Sequence, residues 1–264
     1  MCKNPKQAWA KVNNFLKKRI VSANIDVNVN ILNVDIMNRF FTDISTSSHY
    51  QWPPYKNSCS NHIKHETGVF NYYDIYKLLS SIKHTVPGPD NLPCWFLWES
   101  AAYIAYPLCM MFNQSFKYAI YPSCFKVATI MPIPKTCQPK DFSDFRPILV
   151  TSIIAHIFDK MVANDIIYPH LNLPRNRTIL CNQYAFRKTS SCECAIMIIL
   201  DKVTNMLACN NTKVVSIFAL DISKTFDSIS HQSVLQGIDR MGFPDFFYNW
   251  CLSYLDSHKH QTKF

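Results

Sequence analysis

The stretch "SIFALDISKTFDSISH", Ser216 to His231, decides how this chain is read. From Lys213 to Leu220 the sequence is almost continuously apolar after its lysine, the pattern of a central strand covered on both faces and not of an edge strand. The run ends abruptly in Asp221, and a second carboxylate follows at Asp227. A carboxylate at the C-terminal end of a buried strand is a candidate metal ligand, because the strand fixes the backbone while the loop beyond leaves the oxygen open. A hard cation such as Mg²⁺ takes few carboxylates and shares its other positions with water and phosphate. The competing reading of Asp221 is a cap for the next helix or a partner for Lys224.

The bulk of the chain sets limits on that site. Its 264 residues are 48% hydrophobic and 14% aromatic, enough for a packed core of one large domain or two small ones. The 27 basic against 18 acidic residues give a net charge of +9, which fits a phosphate-rich partner such as RNA or DNA as well as it fits an ordinary basic surface. Eleven cysteines are scattered without a zinc-type pair of CxxC motifs and read as reduced thiols of an intracellular protein, cytoplasmic or nuclear. The basic, interrupted N-terminus does not resemble a signal peptide, and no apolar run approaches the roughly 20 residues that span a bilayer. With four glycines there is neither GxGxxG nor GxxxxGK[ST], which excludes the glycine-loop nucleotide folds.

Working outward, residues 1–80 read as a polar helical and loop extension, with one helix near the start and another over Ile31 to Ile44. "VPGPDNLP", Val86 to Pro93, is a turn in which Gly88 is expected to supply a positive φ. Helices are expected over Cys94 to Tyr103 and from Pro107, as a first-turn proline, to Tyr118. "FKVATIMPIPK", Phe125 to Lys135, alternates like a strand and is stopped by prolines; "DFRPILV", Asp144 to Val150, is a second strand, and together they predict a β-hairpin with a basic residue on each arm. A helical stripe runs over 152–171. Ser190 and Glu193 stand at capping-box spacing before a helix whose apolar face is Ala195, Ile199, Val203 and Met206. Ser230 is expected to cap a helix from His231 to Met241, Gly242 to end it, and Pro244 to open a last one to about Asp256.

These blocks carry a resemblance. "FALDISKTFDSISH" resembles the first catalytic motif of reverse transcriptases from non-LTR (LINE-type) retrotransposons, a strand followed by D-[FY]-S-K-A-F-D-x-[VI]-x-H. In order along the chain, "VPGPDNLP" is similar to that family's SPGPDGIP, "FKVATIMPIPK" and "DFRPILV" to WKxAxVxPIPK and NYRPISL, "NQYAFRK" to QxGFRKGRST, and "DRMGFPDFFYNWCLSYL" to the helices that follow. The resemblance covers about Ile82 to Phe264. It implies an α+β, right-hand polymerase fold, fingers and partial palm only over 81–264, behind the helical extension. It implies template-directed DNA synthesis with an RNA template, a DNA primer and dNTPs as partners and two Mg²⁺ ions. Asp221 would be the catalytic metal ligand, and Phe226 the aromatic gate against a 2′-hydroxyl. The main chain at Ile222, Ser223, Lys224 and Thr225 would lie beside the triphosphate, whose phosphates Lys135 and Arg146 would grip. Gln183, Arg187 and Lys188 would lie near the template-primer. Asp227 and His231 read as turn and packing residues.

The departures from the family pattern are Thr225 for a small Ala, Ala185 for Gly, Asn91 for Gly and Phe125 for Trp; Ala185 would strain a turn if its φ were positive. The family's G-x-P-Q-G-S and [FY]-x-D-D motifs do not occur in the 264 residues. The expectation is a chain inactive by itself, with the flank of the strand at 214–220 exposed. The alternative is a non-catalytic nucleic-acid-binding remnant of a transposable element. A haloacid-dehalogenase-type phosphatase is the third reading, and Ser223 stands where that family wants its second Asp. Oligomeric state stays open.

Overall fold

The computed structural model describes residues 33–45, 52–56, 68–187, 190–209, 214–222 and 229–263, with the side chains of 43–45 excepted. The helix expected near the chain start lies outside these. The described part is a mixed α+β structure, with helices as its larger portion. In chain order its elements begin with α1 (Val34–Ser45), α2 (Tyr72–Ser80), α3 (Cys94–Glu99) and α4 (Ala101–Lys117). The hairpin β1 (Val127–Pro134) and β2 (Phe145–Val150) follows, then α5 (Ile153–Val162). A π-helical turn, Ala163–Ile167, carries α5 into α6 (Tyr168–Leu171), and α7 (Pro174–Ile179) and α8 (Cys192–Ala208) come next. The last elements are α9 (His231–Arg240), α10 (Asp245–Leu255) and β3 (Lys259–Thr262).

Aromatic side chains dominate the main core. Phe158 of α5 stacks on Phe112 of α4 at 4.2 Å between centroids, with Tyr121 parallel on it at 5.8 Å and Trp250 of α10 edge-on at 5.6 Å. Ile75 and Leu79 of α2 join the same cluster. Several of its polar atoms are paired: Trp250 Nε1 donates to Ser115 Oγ, which donates to Ile120 O, and Ser253 Oγ accepts from Tyr121 N. Tyr121 Oη donates to Asp159 Oδ1 at 3.1 Å. Burial pushes the Asp159 carboxyl up to about 6 against the hydrogen bond, and raises the Tyr254 and Cys251 groups to about 12. Residues 52–56 strap across α9 and α10: the Lys56 and Asn249 amides exchange hydrogen bonds, and the Lys56 ammonium pairs with Asp239 and Asp245.

A smaller core holds α1 to the sheet, Met37 and Phe41 packing on Ile130 and Phe145. The sheet order is β2-β1-β3, with β1 antiparallel to β2 and parallel to β3. Strand β3 completes the sheet from "KHQT", a stretch in which no element was expected, because none of its residues is apolar and hydrophobic periodicity is blind to it.

Several local expectations need correction. Gly88 has no positive φ; the left-handed residue of that turn is Asn91, at φ 56°, a residue whose side chain tolerates the region. Gly88 is needed for close approach. A Cβ there would lie 2.6 Å from Thr151 O and 2.7 Å from Ser152 Cα, backbone that cannot swing aside. The turn is bolted to the same place by Ser152 Oγ, which donates to Asp90 Oδ2 at 2.5 Å. Gly88→Ala is therefore expected to cost about 1–3 kcal/mol, as overpacking does; a thermal midpoint equal to wild type would refute the close approach. Pro107 lies inside α4 and does not open it, because Ala101, Ala105, Cys109, Phe112 and Phe116 bury one face across it. Ser191, not Ser190, caps α8, accepting from Cys194 N. Phe186, not Ala185, has the positive φ of its turn, at 59°.

The largest correction concerns the decisive stretch. Residues 214–222 are neither a strand nor buried: Phe218 is 88% and Leu220 93% exposed. No residue of α8, just before it, is buried either. A run of apolar residues states a need for burial, but a strand also needs a neighbour for its backbone groups, and among the described residues no strand pairs with this one.

Candidate nucleic-acid interface

The hairpin register sets which side chains share a face. Residues directly opposite in a ladder point the same way, and successive residues alternate. Arg146 stands opposite Ile133, and Ile148 opposite Met131. These four side chains therefore lie on one face of the sheet, and all four are exposed. Ile130 and Phe145 lie on the other face, under α1. In β3, His260 and Thr262 also face α1, where Thr42 Oγ1 meets His260 Nε2 at 3.1 Å and Thr262 Oγ1 donates to Asn38 Oδ1 at 2.8 Å. The alternation leaves Lys259 and Gln261 on the same open face as Arg146.

Lys135 follows the last residue of β1, its N–H donating to Asp144 O at 2.7 Å and its ammonium to Ser143 O at 2.7 Å. The loop that it closes is held by Asp144, whose carboxylate accepts from Lys140 N and Asp141 N; those amides, with the nearby Lys135 charge, hold its carboxyl below the usual range. Lys135 and Arg146 are thus brought to the same end of the hairpin. Arg146 is exposed, and its fork of guanidinium donors is available to an anion.

The other expected residues are not gathered with these. Arg187 turns back on the chain, Nη1 donating to Leu180 O at 2.7 Å and Gln183 O at 3.3 Å, so its guanidinium terminates the turn after α7. Gln183 Nε2 donates to Ala185 O at 3.4 Å. Asp221 and Ile222 are exposed in the irregular stretch after residue 214. Ser223, Lys224, Thr225, Phe226 and Lys188 lie outside the described residues. No group of three or more His, Cys, Asp or Glu side chains suited to a metal ion occurs among the described residues. Asp221, the residue expected to hold Mg²⁺, is exposed, and residues 223–228 beside it lie outside the described residues. No helix among the described residues is long and apolar enough to cross a membrane.

The sequence reading put Lys135 and Arg146 on the two arms of a hairpin, where the register has them, and did not single out Lys259, Gln261 and Lys263. The only available signal was the alternation of "KHQTK" between long polar and shorter side chains.

No protein-family profile matches the chain. Over 171 residues it is 26% identical to the "Retrovirus-related Pol polyprotein from type-1 retrotransposable element R2" of Nasonia vitripennis. The match takes in 65% of this chain, which spans 15% of that polyprotein's length.

Proposed function

We propose that this chain is the fingers and opening palm part of a reverse transcriptase from a non-LTR retrotransposon, whose partners are single-stranded template, primer and dNTPs. The observation that carries the reading is the hairpin that brings Lys135 and Arg146 to one end of one sheet, in a chain similar to a retrotransposon Pol polyprotein. A lysine point charge beside a planar guanidinium donor suits the grip of phosphate groups. The net charge of +9 suits the same class of partner.

A second reading, a non-catalytic nucleic-acid-binding remnant, takes its support from the exposed position of Asp221 in a stretch that forms no strand. Both readings require binding, so binding is tested first. A fluorescently labelled single-stranded RNA is expected to bind the 264-residue chain with an affinity that falls linearly in log K against log salt. An isotherm unchanged from low to moderate salt would refute both. Primer extension by the chain continued through G-x-P-Q-G-S and [FY]-x-D-D segments then separates them: DNA product that Asp221→Asn abolishes supports the polymerase part, and binding without product supports the remnant.

A further inference from the structure

From the register of β3 we infer that the open face of the sheet is a docking surface for a single nucleic-acid strand, with the lysines of β3 as its second row of phosphate contacts. The inference rests on the nucleic-acid reading above and gives that partner a place. Lys259 is level with Val127 across the parallel ladder, and Lys263 continues it, donating its N–H to Ile130 O at 2.9 Å. By alternation both side chains point to the face that carries Arg146, two strands away, and both are exposed. Across the sheet two strand spacings are about 10 Å; along it Lys263 continues the ladder to the level of Met131, two residues from the partner of Arg146, while Lys259 stands at Val127, six residues from it. Cations therefore border the face on both sides, and the three strands carry no acidic residue. The nearest carboxylate on the hairpin, Asp144, is occupied by the amides of its own loop.

Between the two rows lie Met131, Ile133 and Ile148, apolar and exposed. An apolar floor between cations suits a strand whose bases are unpaired, because its phosphates reach the margins while base faces lie on the floor. A duplex hides those base faces and offers this floor nothing. On the far side α1 covers Ile130 and Phe145 and leaves Leu149 exposed, one apolar side chain against the three of the face that carries Arg146.

The test uses the whole chain and a labelled single-stranded oligonucleotide, with affinity followed against salt. Lys259→Gln with Lys263→Gln is expected to reduce the log–log salt slope by about 1.4, since each single-strand phosphate contact contributes about 0.7. Lys259→Arg with Lys263→Arg keeps the charge and is expected to keep the slope, which separates a lost contact from a lost fold. Lys160→Gln with Lys202→Gln removes the same charge from α5 and α8 and is expected to change the slope by less than half as much. Equal losses from the sheet and helix pairs would overturn the inference, as would tighter binding of a duplex or equal competition by polyglutamate. Absence of binding by the wild-type chain would instead remove the nucleic-acid reading itself.

Discussion

Phe158→Ala is expected to lower the unfolding free energy by about 3–5 kcal/mol, the usual cost of deleting a buried phenylalanine ring. Phe158 is 0% exposed and sits in the middle of the aromatic cluster, stacked between Phe112 and Tyr121 with Phe70 and Trp250 edge-on. The alanine would leave a cavity that rigid rings on four sides cannot close. Since whole domains are stable by only about 5–15 kcal/mol, this one change approaches the margin. Chemical denaturation gives the measurement, and Phe158→Leu should lose less. Tyr103→Ala on α4, where the ring is 82% exposed, should stay within about 0.5 kcal/mol. Equal losses at the two positions would contradict the packing described.

Asp159→Asn is expected to stabilise the protein at neutral pH and to do little in acid. The folded-state carboxyl titrates at about 6, above its ordinary value of 3.8, so the fold binds the proton more tightly than the unfolded chain does. The resulting stability is fully present below pH 3.8 and is lost as pH rises through 6. At 1.36 kcal/mol per pH unit the full swing is about 3 kcal/mol. Asparagine keeps an oxygen to accept from Tyr121 Oη and never carries the charge. The variant should therefore exceed wild type by up to about 3 kcal/mol at pH 7.5 and match it near pH 4, in denaturant titrations at both. Burial lowers the proton affinity of His231 and His258, which pulls the other way as pH falls, but both proteins contain them and the difference cancels. A gap of equal size at the two pH values would show that ionisation is not its cause.

What the sequence revealed follows the range of the forces involved. The hairpin was legible because alternation and flanking prolines act within ten residues, and the structure pairs Thr129 through Pro134 with Val150 through Phe145. The path from α9 to α10 was legible because its punctuation is local: Ser230 Oγ accepts from Ser233 N, Gly242 turns at φ 72°, and Pro244 precedes α10. Ser190 and Ser191 could not be told apart by spacing, since only the backbone decides which hydroxyl meets the helix. The role of Gly88 depends on backbone more than sixty residues away, beyond any local pattern. Residues 214–222 mark the same boundary from the other side, where composition stated a preference that no described neighbour meets. In the candidate site, Lys135 and Arg146 could be found from the hairpin, whereas Lys259 and Lys263 acquire their position only from a long-range parallel pairing.

That pairing also sets an order of events during synthesis. The outer edge of β1 receives its partner from residues 259–262, which are made more than a hundred residues after the hairpin. At about 5–20 residues per second the ribosome needs roughly 6–25 s to cover that distance. For that interval the nascent hairpin has α1 available to cover one face while its β1 edge stays unpaired, a template for other strands. The protein's most vulnerable moment thus falls on the translating ribosome, and a chaperone that shields exposed strand edges would act there, before β3 emerges.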